Sequence, residues 1–425
     1  TISNEGTTIT ITQTAPFQTY DNGAGLERKW YGLLLDLGIL RENVIAVDGY
    51  VFESGETEDI YAEQWGATNE NQFILWLSEE NGTRNITFGD RDSLHEDTQI
   101  SFIFNKYIPT EVEVTDESSL ANAIEDVQEG GTVKLGSNVS LTQPLVINKP
   151  ITLDLGANNI EAGAQVIGIQ EDTTITGTGE INSSNAQSAL QVENAKLTFN
   201  GGTVKSTTLY GINLVGQSEI QVNGGNIESK DSCIACNNGD AEFVTITIDN
   251  GELTSDTDAT IYVPAPCTIN VNGGTLNGGI NARMGTINVN GGTINSIASG
   301  NDNIEEYYHF QGNVWLGDAI ACMAGTYTSP FEEQSNKLEI NIQNGTINGL
   351  CNGCSAVAIY NLGKVAQEIS VTIGENAILT VVDDTQPLYK KVAAKDIVPS
   401  EADDYAEYTA IENTVVENIA EKFIA

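Results

Sequence analysis

From Gly131 onward, short alternations of apolar and polar residues recur along the chain, and each ends in a turn rich in asparagine and glycine. The clearest copies are LTFNGGTV, IQVNGGNI, ITIDNGEL, INVNGGTL, INVNGGTI and INIQNGTI. The glycine that directly precedes the last two residues of each copy is Gly202, Gly225, Gly251, Gly274, Gly292 or Gly345. Successive copies are therefore 23, 26, 23, 18 and 53 residues apart. Weaker copies extend the pattern at Asn138, Asn158, Gly179 and Asn376. A recurring unit of this length predicts a solenoid.

Each copy describes one coil of such a solenoid. Two apolar residues separated by a polar one, such as Ile269 and Val271, place alternate side chains inward. Asparagine and glycine then turn the corner, because they tolerate the left-handed backbone that branched residues avoid. A second wall pattern runs through ALQV, GINL, CIAC, TIYV, AIAC and AVAI, which begin at residues 189, 211, 233, 260, 319 and 356. Stacked coils, about 4.8 Å apart, would bury each other's apolar faces.

The remaining segments predict separate elements. Residues 1–110 have no repeat and contain alternating runs typical of a sandwich-like β domain, with a hairpin turn at Asn81-Gly82 and one helix over Leu26–Leu40. Asp116-Glu117-Ser118-Ser119 is expected to cap a short helix that covers the open end of the solenoid. The solenoid spans 111–395, and residues 396–425 are expected to form a C-terminal cap or linker, helical over Tyr405–Phe423.

The stretch SSLANAIEDVQEGGTVKLGSNVSLTQPLVINKPITLDLGANNI, with the NGGTI coils after it, resembles right-handed parallel β-helix domains of bacterial cell-surface proteins that share the pectate-lyase-like fold. The resemblance covers roughly residues 112–390. It implies an all-β, right-handed parallel β-helix. It implies no single activity, because that fold carries lyases, hydrolases, esterases, tailspikes and adhesins.

The charge and the hydropathy of the chain argue against two kinds of partner, nucleic acids and membranes. Fifty-nine acidic and 18 basic side chains give a net charge of -41, which repels nucleic acids and anionic membranes. No stretch approaches the roughly 20 apolar residues that cross a bilayer. We therefore expect neither a nucleic-acid partner nor membrane insertion. An extracellular or cell-surface location is expected, with any signal peptide already removed.

The outward positions of the coils carry no catalytic pattern. On one wall they are Thr198, Gln221, Thr247, Asn270, Asn288 and Asn341, and on another Gln191, Asn213, Ala235, Tyr262, Ala321 and Ala358. Neither column holds an acid–base pair, and Arg283 is the only arginine in the repeat. Asp383-Asp384 is interpreted as a solvated loop, and His95 and His309 as surface residues. No catalytic residue is predicted.

The 53-residue interval between Gly292 and Gly345 is much longer than the other intervals and therefore contains an insertion. Insertions in solenoids form loops on one face, often the binding face, and aromatic and polar side chains together suit a sugar. The alternative is that these aromatics pack against the solenoid wall. The candidate ligand-binding residues are Glu305, Glu306, Tyr307, Tyr308, His309 and Trp315.

Six cysteines and several acidic loops leave metal and redox chemistry open. Cys233–Cys236 and Cys351–Cys354 both have C-x-x-C spacing, for which buried free thiols are favoured over a disulfide and over a zinc site. Cys236 and Cys322 fall at core positions. No cofactor is expected, although calcium remains an alternative at loop aspartates without EF-hand spacing, namely Asp249, Asp256, Asp258 and Asp302.

The leading functional hypothesis is a secreted or cell-surface, adhesin-like binding module with a glycan or a host surface protein as its partner. The rival is a carbohydrate-active enzyme, either a polysaccharide lyase or a glycoside hydrolase, that uses the loop carboxylates Asp302, Glu305 and Glu306. Ice binding through the threonine and asparagine columns is a third hypothesis. It is disfavoured because threonine is not uniform along any column.

Overall fold

The computed structural model describes residues 109–393, apart from position 185, segments 298–316, 326–336 and 362–364, and the side chains of 237–241 and 393. It also describes residues 413–423 and, within 1–108, the backbone of eight strands. Contacts divide the chain into two units, Thr1–Ile108 and Pro109–Ala425.

The strands of the N-terminal unit pair antiparallel, as β1 with β2, β5 with β8, and a sheet in the order β3-β4-β6-β7. Their bounds are β1 (Ile2–Asn4), β2 (Thr7–Ile9), β3 (Gln18–Tyr20), β4 (Lys29–Asp36), β5 (Tyr50–Thr57), β6 (Gln72–Glu80), β7 (Thr83–Phe88) and β8 (Ile100–Lys106).

Two sequence predictions can be compared with these strands. Glu80 pairs with Thr83, which leaves only Asn81 and Gly82 between β6 and β7 and confirms the predicted hairpin. The helix predicted over Leu26–Leu40 is wrong, because β4 occupies Lys29–Asp36 and pairs with β6 along its whole length. A short apolar run such as Leu33–Leu35 has no periodicity that separates helix from strand.

From β9 (Glu111–Val114) onward, every strand pairing is parallel and connects one coil to the next, along three walls. First-wall strands are β10 (Thr132–Leu135), β13 (Ile151–Asp154), β16 (Thr173–Thr176), β19 (Lys196–Phe199), β26 (Cys267–Val271), β29 (Gly285–Val289) and β36 (Val415–Ile419). Second-wall strands are β11 (Val139–Ser140), β14 (Ile160–Gly163), β17 (Glu180–Ser183), β20 (Thr203–Ser206), β22 (Asn226–Ser229), β24 (Glu252–Ser255), β27 (Thr275–Asn277) and β30 (Thr293–Asn295).

Third-wall strands are β12 (Leu145–Ile147), β15 (Ile167–Ile169), β18 (Ser188–Glu193), β25 (Ile261–Val263), β28 (Ile280–Ala282), β31 (Ile320–Ala324), β33 (Val357–Asn361) and β35 (Tyr389–Ala393). Two long strands, β21 (Tyr210–Val222) and β23 (Ile234–Ile248), run from the third wall into the next first wall. Two others, β32 (Lys337–Gly349) and β34 (Glu368–Val381), run from the first wall into the second. The unit is a parallel β-helix, as the repeat predicts.

The core consists of aliphatic columns that follow the solenoid axis. One column, with every side chain at most 1% exposed, runs through Leu197, Ile220, Ile246, Ile269, Ile287, Ile340 and Val371. Cys236 and Cys322 occupy another such column on the third wall, at the predicted core positions. Each coil therefore buries the apolar face of its neighbour.

The glycine corners between the first and second walls are confirmed. Gly202, Gly225, Gly251, Gly274, Gly292 and Gly345 all have positive φ, between 75° and 106°. A methyl group on Gly274 would also lie 2.7 Å from the carbonyl oxygen of Gly251 in the preceding coil. Glycine is therefore required both by the backbone angle and by the close approach of stacked corners.

The predicted capping helix is present as α1 (Glu117–Asp126), with Asp116 as its N-cap and a capping box to Ser119. Leu120, Ala123 and Ile124 are buried, and the helix contacts β9, β10 and β12 of the first coils. The helix therefore covers the apolar end of the solenoid. It ends at Asp126.

The C-terminal segment differs from its prediction where the structure describes it. Val415–Ile419 form β36, which continues the first wall beside β34, instead of a helix. A single 3-10 turn follows at Glu421–Phe423. Stacking on an existing coil gives these residues a ladder of backbone hydrogen bonds, and this tertiary pairing overrides their helical spacing.

Replacing Gly274 by alanine is expected to destabilise the solenoid by about 2 kcal/mol, because alanine is strained at positive φ and its methyl group would meet the carbonyl of Gly251. Gly168→Ala is the matched control: Gly168 has no positive φ, and an added methyl group would meet its nearest neighbour at 3.8 Å. Chemical denaturation of both variants measures the difference. Equal midpoints would contradict the role given to the corner glycines.

Candidate functional site

The outward column of the first wall is a hydrogen-bonded ladder of polar side chains. Asn270 donates to Thr247 Oγ1 at 3.4 Å, Asn288 donates to Asn270 Oδ1 at 2.9 Å, and Asn341 donates to Asn288 Oδ1 at 3.1 Å. A second ladder on the second wall joins Asn348 to Asn295 and Asn295 to Asn277, at 2.8 and 2.9 Å. The amides of each ladder bond one another. The first-wall ladder is therefore a structural surface without acid–base groups, whereas the second-wall column continues from Asn277 through Thr254 to Glu228 and Lys205.

The third wall differs from its prediction. Its outward column includes Asn281, aligned between Tyr262 and Ala321, which the sequence pattern missed. Five side chains of this column are only 0–5% exposed, although four of them were predicted to face outward and the fifth, Asn281, is aligned with them. They are Asn213, Ala235, Asn281, Ala321 and Ala358. The outer face of this wall is therefore largely buried. It is a poor place for a ligand to approach.

The ligand-binding residues proposed from the insertion lie outside the described residues and stay a prediction. The same holds for Asp302 and His95. The ligand-binding residues proposed from the insertion are Glu305, Glu306, Tyr307, Tyr308, His309 and Trp315. In sequence, their segment stands directly before β31 of the third wall.

Two aspartates meet at the corner between the second and third walls. Ile234 pairs with Ile261, and the same register places Asp231 over Asp258 on the next coil. Their side chains are hydrogen-bonded to each other and partly exposed. Asp258 Oδ1 also accepts a hydrogen bond from the backbone of Ala259 at 2.6 Å. Sequence reasoning considered only columns within strands and missed this acidic pair.

Burial and the negative charge of Asp231 raise the pKa of Asp258 to about 7. Burial also raises the pKa of Asp231. A carboxylic acid beside a carboxylate keeps its proton, because two adjacent negative charges repel in a poorly solvated place. Near pH 7 Asp258 is therefore about half protonated, and below that pH the pair shares a proton with Asp258 as the donor.

Two tyrosines lie near the acidic pair, and one of them, Tyr262, contacts a buried arginine. Burial raises the pKa of Tyr210 to about 12, with a smaller contribution from the charge of Asp231, so the phenol stays protonated. Arg283 Nη2 lies 3.1 Å from Tyr262 Oη, and its guanidinium stands 5.8 Å from the centre of the Tyr262 ring. Arg283 itself is 2% exposed. Tyr210 and Tyr262 are the partly exposed aromatic side chains of this corner.

A polar groove of about 330 Å³ crosses the second wall and reaches Lys230 and Asp256, which stand one residue before Asp231 and two before Asp258 in the sequence. Lys205 pairs with Glu228 at 3.1 Å, and Lys230 pairs with Asp256 at 3.6 Å. Ser229 Oγ, inside the groove, donates to the carbonyl oxygen of Asp231 at 3.0 Å. The lining residues are Lys205, Ser206, Thr207, Asn226, Glu228, Ser229, Lys230, Glu252, Thr254 and Asp256.

The cysteines divide into two groups. Cys233, Cys236, Cys267 and Cys322 are buried free thiols, as predicted, and burial raises the pKa of each of them. Cys351 and Cys354 form a disulfide, which corrects the preference for free thiols there. The first group is unreactive, because the thiolate and not the thiol is the nucleophile.

The three loop aspartates that the structure describes do not meet to form a calcium site. Asp249 accepts hydrogen bonds from Gln221 and Asn272, Asp256 pairs with Lys230, and Asp258 pairs with Asp231. Among the described residues, no group of three or more His, Cys, Asp or Glu side chains is arranged to hold a metal ion. Asp383 accepts from the backbones of Gly353 and Thr385, and its neighbour Asp384 is exposed.

No protein-family model, curated protein or solved structure matches this chain. The resemblance to bacterial surface proteins rests on the motifs quoted above. Within the described part of the chain, none of the helices is long and apolar enough to span a membrane.

The acidic pair predicts a stability change near neutral pH. Because the pKa of Asp258 is raised in the folded state, its proton stabilises the fold fully below the unfolded pKa near 4, and that stabilisation disappears as pH rises through about 7. We expect a loss of about 1 kcal/mol between pH 6 and pH 8, measured as a falling denaturation midpoint. Nearby titratable groups are Asp231, Tyr210, Tyr262 and the buried Cys236 thiol.

Asp258→Asn is the control for this step, because an amide still donates to Asp231 and does not titrate. Its denaturation midpoint should be flat over the same pH range. Carboxyl NMR that finds Asp258 titrating near pH 4 in the unsubstituted protein would contradict the shared proton.

Proposed function

We propose that this chain is a non-catalytic binding module that recognises a glycan in the polar groove of the second wall. The observation that carries the proposal is the groove itself, which presents paired amines and carboxylates, amides and hydroxyls on stacked coils. Hydroxyl-rich polymers are bound by such convergent donors and acceptors. Tyr210, near the acidic pair, offers a ring for stacking.

The ion pairs in the groove suit exchange with ligand hydroxyls. The side chains of Lys205 and Glu228 are 47% and 43% exposed, and those of Lys230 and Asp256 are 49% and 63% exposed. Exposed ion pairs of this kind contribute about 0–1 kcal/mol each. A ligand can therefore displace them at small cost and take over their hydrogen-bonding atoms.

The spacing of the acidic pair favours binding over glycoside hydrolysis. Asp231 and Asp258 are hydrogen-bonded, whereas retaining glycosidases hold their two carboxyl groups about 5–5.5 Å apart and inverting enzymes about 6.5–9.5 Å apart. A directly bonded pair leaves no room for the sugar ring or the attacking water between its members. We therefore favour the binding module over a hydrolase that uses this pair.

The wider setting is part of the same proposal. A right-handed coil follows from the strong handedness of parallel β crossovers. The quoted motifs support a bacterial, cell-surface or secreted, adhesin-like protein, and the antiparallel strands of residues 1–108 support a sandwich-like N-terminal domain. A host surface protein is the alternative partner.

Binding of the full chain to an array of plant, microbial and host glycans tests this function. The double variant Lys205→Ala/Lys230→Ala should bind the strongest array ligand about tenfold more weakly, because two donors leave the groove. Lys196→Ala is the matched control: Lys196 also pairs with an acid one coil away, Glu219 at 2.6 Å, but on the first wall. Its affinity should not change.

Three outcomes would overturn the proposal. Equal losses in the groove variant and the control would mean that general charge, not the groove, binds the glycan. Loss only in Trp315→Ala would move the site to the insertion. Release of reducing sugar from any array glycan would favour the carbohydrate-active enzyme instead.

A further inference from the structure

The Cys351–Cys354 disulfide lies at the corner between β32 and β33, with only Asn352 and Gly353 between its cysteines. Among the described residues, these two cysteines are joined in a disulfide, whereas the other four cysteines are free thiols. Cys351 and Cys354 are 5% and 1% exposed, while Asn352 is exposed at the loop tip. A link across two residues removes little entropy from the unfolded chain, so stabilisation alone explains it poorly.

A buried ion pair holds the backbone on both sides of Cys354. Asp318 is 0% exposed and lies 3.0 Å from Lys390 Nζ. Asp318 Oδ1 accepts a hydrogen bond from the backbone nitrogen of Ser355 at 2.6 Å, and Lys390 Nζ donates to the carbonyl oxygen of Gly353 at 3.4 Å. The residues before and after Cys354 are therefore both fixed by charged groups.

The same ion pair is supported from a neighbouring strand. Tyr360 Oη donates to Asp318 Oδ2, and Lys390 Nζ stands 5.7 Å from the centre of the Tyr360 ring. A cation close to a C-x-x-C pair favours the thiolate, which is the form that exchanges with disulfides. A buried carboxylate beside it can receive or supply a proton.

A hydrogen-bond acceptor for one of the reduced thiols is also present. Cys351 Sγ lies 3.2 Å from the carbonyl oxygen of Gly317. A sulfur in a disulfide has no hydrogen to donate, whereas the thiol formed on reduction would find this acceptor within reach. The oxidised corner therefore already contains a hydrogen-bond acceptor for the Cys351 thiol.

We propose that Cys351 and Cys354 form a redox-active dithiol–disulfide site, with Asp318 and Lys390 as its positioning residues. A thiolate of a small thiol such as glutathione attacks Cys351, the more exposed of the two residues, forming a mixed disulfide and releasing Cys354 as a thiolate. A second thiolate attacks the glutathione sulfur and frees Cys351. Two thiols thus become one disulfide, and their two protons end on Cys351 and Cys354.

Native alkylation after equilibration with reduced and oxidised glutathione at set ratios tests this site. Mass spectrometry should show Cys351 and Cys354 changing state reversibly in the folded full chain, while Cys233, Cys236 and Cys322 stay unmodified. In Cys354→Ser, Cys351 should retain a bound glutathione. Reduction that occurs only when the chain unfolds would overturn the proposal.

The charged pair is tested by Lys390→Met, which should change the equilibrium constant with glutathione by about tenfold and alter its pH dependence. Lys391→Met is the matched control, because Lys391 stands next in the same strand and pairs with Glu417 at 2.9 Å. Tyr360→Phe gives a second, milder perturbation of Asp318 that keeps the ring. If neither Lys390→Met nor Tyr360→Phe differs from the control, the disulfide is structural.

Discussion

The solenoid depends on one constraint, the parallel backbone ladder that places each residue directly over its counterpart in the next coil. Adjacent strands in such a ladder lie about 4.8 Å apart, so every position becomes a column of side chains in contact. At the corners the constraint is strictest, because the carbonyl oxygen of Gly251 lies where a side chain on Gly274 would begin. The glycine corners, the aliphatic core and the asparagine ladders all follow from this stacking.

Stacking also decides where charge can be tolerated. Lys196 lies over Glu219 and Lys205 over Glu228, each with an acid one coil away, so like charges do not meet in these columns. Asp231 over Asp258 is different, because here an acid lies over an acid. A proton on Asp258 removes one of the two negative charges, and burial raises the pKa of Asp258 to about 7, so this proton is lost only as pH rises through neutrality.

The sequence predicted the features that every coil repeats. Corner glycines and the core positions of Cys236 and Cys322 could be deduced because the same physical need recurs at each step. The acidic pair was also deducible: 27 residues separate Asp231 from Asp258, the same step that separates Ile234 from Ile261. The disulfide was not, because a C-x-x-C spacing occurs equally in metal sites, and the choice depends on a corner geometry that only the fold supplies.

The binding face that we propose was chosen by comparing the exposed surfaces of the three walls. On the third wall, the outward residues Asn213 and Asn281 are 5% and 1% exposed, so little of that face is open. The first wall is covered by amides that already bond one another. Among the faces that the structure describes, the second wall presents a groove with ion pairs that a ligand can displace, and that groove reaches Lys230 and Asp256, which stand close in sequence to the acidic pair. A ligand there would meet a surface whose charge changes near neutral pH, so its affinity should depend on the proton that Asp231 and Asp258 share.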